Sequence, residues 1–312
     1  MQIRFLFASI ILIGSSQSNA AAGDLKIEKL QQLFVSPTAP MIESASINIS
    51  GGGVFGLDSQ GSWRNHFRFG IGGVGELAFS QQEIFTNIFP NGARLQTKSL
   101  KIMVVPTMKF GKSAAVSFSG MVRSADWTGQ QSNYAYLETG SLLADASLTS
   151  AKFETRFASL YLIGSFEFKN TAIHFGPILT DFRYKNLALE FILYDSFVDN
   201  EERSKKGKGV FFGFTNMVNP STMLLIDFST VPRLNLNLDV EQQEYSVSFT
   251  HDYLILWGLR YFIHDYISFD SAVRFYNSKS ELSDIQVKLG VNVNLPIKRI
   301  VNDVGDLVSG RG

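Results

Sequence analysis

The stretch Gln286 to Leu295, QVKLGVNVNL, sets apolar residues against polar or small ones without a break. Val287, Leu289, Val291, Val293 and Leu295 fall on one face of an extended chain. Gln286, Lys288, Gly290, Asn292 and Asn294 fall on the other, because successive side chains of a strand point to opposite sides. Such a strand has to lie between two different solvents. The same pattern recurs upstream: Phe67, Phe69 and Ile71 alternate with His66, Arg68 and Gly70. Leu100, Ile102, Val104, Met108 and Phe110 oppose Lys101, Thr107 and Lys109; Tyr245, Val247 and Phe249 oppose Glu244, Ser246 and Ser248; Phe269, Val273 and Phe275 oppose Asp270 and Arg274. A soluble sandwich alternates in the same way, with its polar face outward, so the pattern alone leaves both architectures open.

Targeting and composition favour the membrane. Arg4, the apolar run Phe5 to Gly14 and the small-x-small triplet Ser18-Asn19-Ala20 predict a signal peptide over residues 1–20, cleaved after Ala20. Beyond it no apolar run reaches the ~18 residues a spanning helix requires. Charged residues are 18% of the chain and aromatics 13%, with 27 phenylalanines, a shift that suits a lipid-facing protein. There is no cysteine, which excludes disulfides and lipid attachment through a cysteine. Lys and Arg balance Asp and Glu at 28 each, so no global field points to nucleic acid.

Turn lengths sharpen the architecture. Gly72-Gly73, Gly111-Lys112, Lys169-Asn170 and His264-Asp265 read as tight links, while 82–96, 126–150 and 277–283 read as longer loops. Short turns alternating with long loops is the asymmetry of a transmembrane barrel. The pattern predicts fourteen strands, near 43–56, 62–71, 74–81, 96–110, 113–124, 152–168, 171–182, 187–198, 208–217, 221–238, 241–250, 253–263, 267–277 and 284–295, with twelve as the alternative. On that count Asn200 to Gly207 is a periplasmic loop. Trp63, Trp127, Tyr134, Tyr184, Tyr253 and Tyr266 lie near segment ends, as interfacial girdles do, although aromatics are common in strands anyway.

Two flanks carry helical periodicity: Ile27, Leu30, Leu33 and Phe34 within 25–34, and Ile297, Ile300, Val301, Val304, Leu307 and Val308 after Pro296. The expected organisation is a signal peptide over 1–20, a periplasmic segment with a short amphipathic helix over 21–42, a barrel over 43–295 and a C-terminal helix or tail over 296–312. The flanks would plug the lumen, lie on the inner leaflet or dock on a turn.

Lys288, Gly290, Val293 and Leu295 resemble the C-terminal β-signal of Gram-negative outer-membrane barrels. There a polar residue, a glycine two places on and alternating apolar residues mark the last strand for insertion. The resemblance implies an antiparallel transmembrane β-barrel in the cell outer membrane, with outer-membrane lipid and the barrel assembly machinery as partners; the segment count above puts it at about 12–14 strands. The chain departs from that family in continuing past the signal to Gly312.

Chemical motifs are sparse. Gly70, Gly72 and Gly75 spell G-x-G-x-x-G, but an alternating strand follows, Glu76-Leu77-Ala78-Phe79, where a dinucleotide site needs a helix. His66, His174, His251 and His264 are the only histidines, and the pairs His251-Asp252 and His264-Asp265 fall too far apart along a strand to share a metal. A Ser–His hydrolase on the wall would need a third orienting group. No catalytic residue, cofactor or metal is expected, and no enzymatic activity.

Inward candidates by alternation are Arg68, Lys101, Lys109, Arg123, Glu190, Glu244, Arg260, Asp270, Arg274 and Lys288, seven of them basic. They would favour anions in an open lumen, or pair with one another and fill it. The expected function is a porin-like channel or transporter for a small solute. The alternatives are a non-transporting structural or surface-binding barrel, with 126–150 as the contact loop, and a secreted soluble sandwich or lipid-binding protein.

Overall fold

The structure is a computed structural model of the 312-residue chain, and it describes residues 32–56, 62–86, 93–111, 113–136, 147–191, 197–239, 244–264, 266–277 and 285–297. The predicted signal peptide, residues 25–31 of the first predicted helix and all of the second beyond Ile297 lie outside that set.

The strands are β1 (Ser46–Gly56), β2 (Ser62–Ile71), β3 (Gly75–Thr86), β4 (Ala93–Phe110), β5 (Ala114–Tyr136), β6 (Ser147–Phe168) and β7 (Thr171–Phe191). They continue as β8 (Phe197–Asp199), β9 (Arg203–Asn219), β10 (Thr222–Asp239), β11 (Glu244–His264), β12 (Ile267–Tyr276) and β13 (Gln286–Pro296). β8 is a three-residue strand beside β7. The other twelve form an antiparallel ring, closed where β1 runs against β13 from the Ser46/Pro296 pair to the Gly56/Gln286 pair.

Twelve replaces the fourteen of the leading sequence-based count, for two local reasons. The expected break after residue 182 is a bulge: Asn186 takes a left-handed φ of 54°, its side chain donates to Glu154 Oε1 at 3.0 Å, and β7 runs on to Phe191. The polar dip Thr250-His251-Asp252 is no turn either. Asp252 points inward to Arg233 at 3.6 Å and β11 continues through these residues as one strand. Removing those breaks moves Asn200 to Gly207 to the opposite end of the barrel from the one expected, with Arg203 to Gly207 in strand β9.

At one end the links have two or three residues (72–74, 111–113, 169–170, 220–221 and 265–266), eased by the positive φ of Gly72, Gly73, Gly111 and Lys169. At the other the connections are longer, as at 137–146 and 192–202. The short-turn end of a transmembrane barrel is periplasmic. Both β1 and β13 meet their flanks there.

Polarity is inverted relative to a soluble domain. On β11, Tyr253, Ile255, Trp257, Leu259, Tyr261 and Ile263 are exposed while Leu254, Leu256, Arg260 and Phe262 between them are buried. The buried set includes Arg68, Glu76, Lys101, Arg123, Asp227, Asp270 and Arg274. Isolated charges inside an ordinary core would cost several kcal/mol each. An apolar exterior around a polar interior is the arrangement that hydrocarbon selects. That exterior excludes the soluble sandwich.

The outer half of the ring is distorted. The β9–β10 ladder stops at Phe211/Ser229, and the Thr230 hydroxyl takes over the backbone groups of Val210, accepting from its N–H at 3.0 Å and donating to its carbonyl at 3.2 Å. Pro232 follows, with no N–H to continue a ladder. From there β10 and β11 bend as a hairpin across the lumen. Arg233 and Leu234 pair in parallel with Phe85 and Thr86 of β3, and Phe249 stacks on Phe182 of β7 at 5.5 Å.

Candidate functional site: a plugged, basic lumen

Residues 32–42 enter the lumen from the periplasmic end, extended and turned, not helical at 32–34. Leu33, Phe34, Ser36, Thr38, Ala39 and Ile42 are all at most 5% exposed. The segment turns into β1 through Ala45, at a φ of 55°, beneath Gly70, where a Cβ would collide with the Glu43 carbonyl. Gly213 makes equal room higher up: a side chain there would overlap Leu33.

Extended backbone inside a barrel brings unpaired amides and carbonyls with it, and the wall supplies their partners. On β10, Asp227 accepts from the Val35 amide at 2.6 Å, the Ser36 amide at 3.0 Å and the Ser36 hydroxyl at 2.5 Å. Glu76 accepts from the Ile42 amide at 3.2 Å, and Ser165 from the Ala39 amide at 2.9 Å. The carbonyls go to cations. Lys101 donates to Thr38 and Pro40 at 3.1 and 2.9 Å, Arg260 to Gln32 at 2.9 Å, and Lys288 to Phe34 at 2.6 Å with its ammonium 5.2 Å from the Phe34 ring.

The same residues are tied to one another. Glu76 bridges Lys101 at 2.8 Å and Arg68 at 3.6 Å; Arg68 also donates to Asn48 at 3.0 Å. Arg260 and Asp270 form a two-pronged pair at 2.6 and 2.9 Å, the strong planar geometry of guanidinium on carboxylate. Arg123 lies 5.1 Å from the Tyr161 ring and donates to its hydroxyl at 3.3 Å, and Arg274 lies 4.5 Å from the Tyr276 ring.

Seven of the ten sequence-derived positions therefore meet in the lumen: Arg68, Lys101, Arg123, Arg260, Asp270, Arg274 and Lys288. Lys109 sits on the inner face opposite Ala115 but is exposed at the periplasmic rim. The side chains of Glu190 and Glu244 lie outside the described set. Lys288 and Gly290 face the lumen, while Val293 and Leu295 occupy the opposite face of β13.

Reading alternation alone missed Asp227, Glu76 and His174. In Leu224-Leu225-Ile226-Asp227 three apolar residues in a row hide the period, and no side can be assigned to the aspartate. Glu76 did carry a signal, since it alternates with Leu77 and Phe79. The Ser165 hydroxyl lies 2.6 Å from His174 Nδ1, a Ser–His pair on neighbouring strands. Ala39 covers it, and among the described residues nothing bonds His174 Nε2.

A cavity of about 360 Å³ remains beside the plug. It runs from Pro296, Asn294 and Tyr266 at the periplasmic rim to Gly53, Val54 and Gln81 at mid-height, past His66, Arg68, Arg123, Arg260, Arg274 and Lys288. Glu43 and Asp270 are the acidic residues in its wall.

No protein-family model matches the sequence, and no curated protein matches it. Among solved structures the chain is similar to the translocator domain of the autotransporter NalP from Neisseria meningitidis, at 10% identity over 85% of this chain and 91% of that one, with a TM-score of 0.44. It is also similar to OmpT, an outer membrane protein of Vibrio cholerae, at 10% identity, 82% and 99% coverage and a TM-score of 0.36. The monoaromatic hydrocarbon channel CymD matches at 9%, 87% and 91% coverage and 0.36. The assignment rests on the barrel itself. Its closed antiparallel ladder, apolar exterior and polar lumen make this chain a β-barrel of the cell outer membrane.

Proposed function

We propose that the protein is a gated passage for small anionic solutes across the outer membrane, with residues 32–42 as the gate and no enzymatic role. One observation carries this reading: the cavity beside the plug is lined by five cations, Arg68, Arg123, Arg260, Arg274 and Lys288, against the two carboxylates Glu43 and Asp270. A cavity wall with surplus positive charge favours anions over cations, and basic side chains lining a pore are how pores select them. Twelve strands enclose more room than the eight that side chains fill unaided, and less than the 16 of an open porin, which leaves space for a plug. The covered Ser165–His174 pair supports a non-catalytic reading, since a nucleophile needs access to its substrate.

Planar-bilayer recording of the purified protein and of a variant lacking residues 32–42 tests this. The expected result is low conductance in the intact chain and higher conductance in the deletion, with a reversal potential displaced towards that of the anion in a salt gradient. A cation-selective deletion variant would overturn the anion assignment. A silent one would favour the second reading, a non-transporting barrel, which the β10–β11 hairpin across the outer half of the lumen supports.

A further inference from the structure

β9 keeps an open edge where β10 leaves the ring. On one side it pairs with β7 from Asn216 as far as Arg203, but on the other its ladder with β10 ends at Phe211/Ser229. Thr230 bonds both the N–H and the carbonyl of Val210, so those two groups point to the side of β10. The backbone groups of a strand alternate between its two neighbours, which turns those of Lys208, Lys206 and Ser204 to the same side. Among the described residues no hydrogen bond reaches them there. β10 does not return to fill the place, because Arg233 and Leu234 are paired with β3 and Phe249 is stacked on Phe182.

Hydrocarbon does not tolerate such an edge, and the side chains show that it lies beyond the hydrocarbon. Val210 and Phe212 are exposed and apolar, whereas Lys206 and Lys208, farther towards the outer end, are exposed and charged. An open edge within reach of water is a template for one more strand. A second copy of this chain is a poor occupant. Pairing two β9 edges would bring Lys205, Lys206 and Lys208 up to the lysines of the other copy, and opposed like charges destabilise a sheet. Opposite charge fits: Lys206 and Lys208 are two residues apart, so an added strand meets both with acidic residues at alternate positions. A Cβ at Gly207 would collide with His251, and one at Gly209 with Thr230. The inner side of the edge is therefore already filled, and the residues between the acidic ones have to be small.

We propose that the β9 edge over 204–208 binds an extended acidic segment of a partner protein at the cell surface by strand addition. The main chain of that segment bonds Ser204, Lys206 and Lys208, and its alternate acidic side chains lie beside the two lysines. This inference is independent of any passage through the lumen.

Fluorescence anisotropy with the full-length protein in nonionic detergent tests it, the probe being a dye-labelled Glu-Thr-Glu-Thr-Glu-Thr-Glu peptide. The peptide should bind saturably, and its counterpart with lysine in place of every glutamate at least tenfold more weakly. Only every second amide of an added strand faces β9. N-methylation of one alternate set of amides should therefore weaken binding at least tenfold, and N-methylation of the other set should leave it nearly unchanged. Absence of saturable binding, or equal binding of the acidic and basic peptides, would overturn the acidic partner. Equal binding of the two methylated peptides would overturn strand addition. Lys206→Pro, which removes an N–H on the open side of β9, should also weaken the acidic peptide at least tenfold, and unchanged affinity would place its site elsewhere. The peptide comparisons use only wild-type protein, so they decide the matter even if the variant does not fold.

Discussion

Ser36 and Asp227 are joined twice, the amide and the hydroxyl of Ser36 both donating to the carboxylate at 3.0 and 2.5 Å. Asp227 is fully buried on β10, and the Val35 amide supplies its third donor. A buried carboxylate is tolerated where several donors converge on it, and here all three come from the plug and its neighbouring backbone.

Asp227→Ala should therefore loosen the plug without opening the ring. Hydrogen bonds to a charged group contribute about 1.5–3 kcal/mol each, so losing three of them is a large fraction of what holds residues 32–42 in place. The chain has no cysteine, so a Thr38→Cys reporter would be its only thiol. Maleimide labelling at that position should be slow in the otherwise wild-type chain and more than tenfold faster with Asp227→Ala. Equal rates would show that the carboxylate does not anchor the segment.

Gly213→Val should have the same outcome by a steric route, because any side chain at 213 claims the space of Leu33. Overpacking of this kind typically costs about 1–3 kcal/mol. Adding Leu33→Ala should restore slow labelling of Cys-tagged position 38. A double variant that labels as fast as Gly213→Val alone would place the clash elsewhere.

Arg123→Gln together with Arg274→Gln should lower anion preference in the variant lacking residues 32–42, moving its reversal potential towards zero in a potassium chloride gradient. Both guanidinium groups lie beside tyrosine rings in the cavity wall, Arg274 at 4.5 Å, so replacement removes charge while the neighbouring rings keep the shape. An unchanged potential would assign selectivity to other cations.

Trp257 should fluoresce as a lipid-exposed indole. It is 48% exposed on the outward face of β11, flanked by Ile255 and Leu259. In a chain carrying Trp63→Phe and Trp127→Phe, reconstituted in bilayers, brominated acyl chains should quench its emission strongly and aqueous iodide weakly. The reverse pattern would mean that the outward face of β11 meets water.

How far the sequence could be read depended on whether its period survived locally. Around Gln286 to Leu295 the alternation is unbroken, and the strand and the division of its residues between two faces follow from it. At Asn186 and at Thr250 to Asp252 the period breaks for reasons that act sideways: a bulge bonded to Glu154, and an inward aspartate opposite Arg233. Such partners come from neighbouring strands, and one chain segment read alone cannot show them. The basic lumen was legible as a list of facing residues, but the role of those residues was not. Arg260 and Lys288 bond the carbonyls of Gln32 and Phe34, in a stretch whose periodicity pointed to a helix. The β10–β11 hairpin across the lumen left no mark beyond Pro232, a residue equally at home on a strand edge.

The ring closes between Ser46 and Pro296, whereas every other seam of the barrel joins strands that follow one another closely in the chain. Bringing together ends so remote is slow, because the entropy of the intervening chain is lost before any pairing rewards it. Residues 32–42 bear directly on that search. They are continuous with β1, and they bond β3, β4, β6, β10, β11 and β13. A sheet that curls around this segment carries its last strand to its first over a shared mandrel. The mandrel stays inside once the seam is sewn.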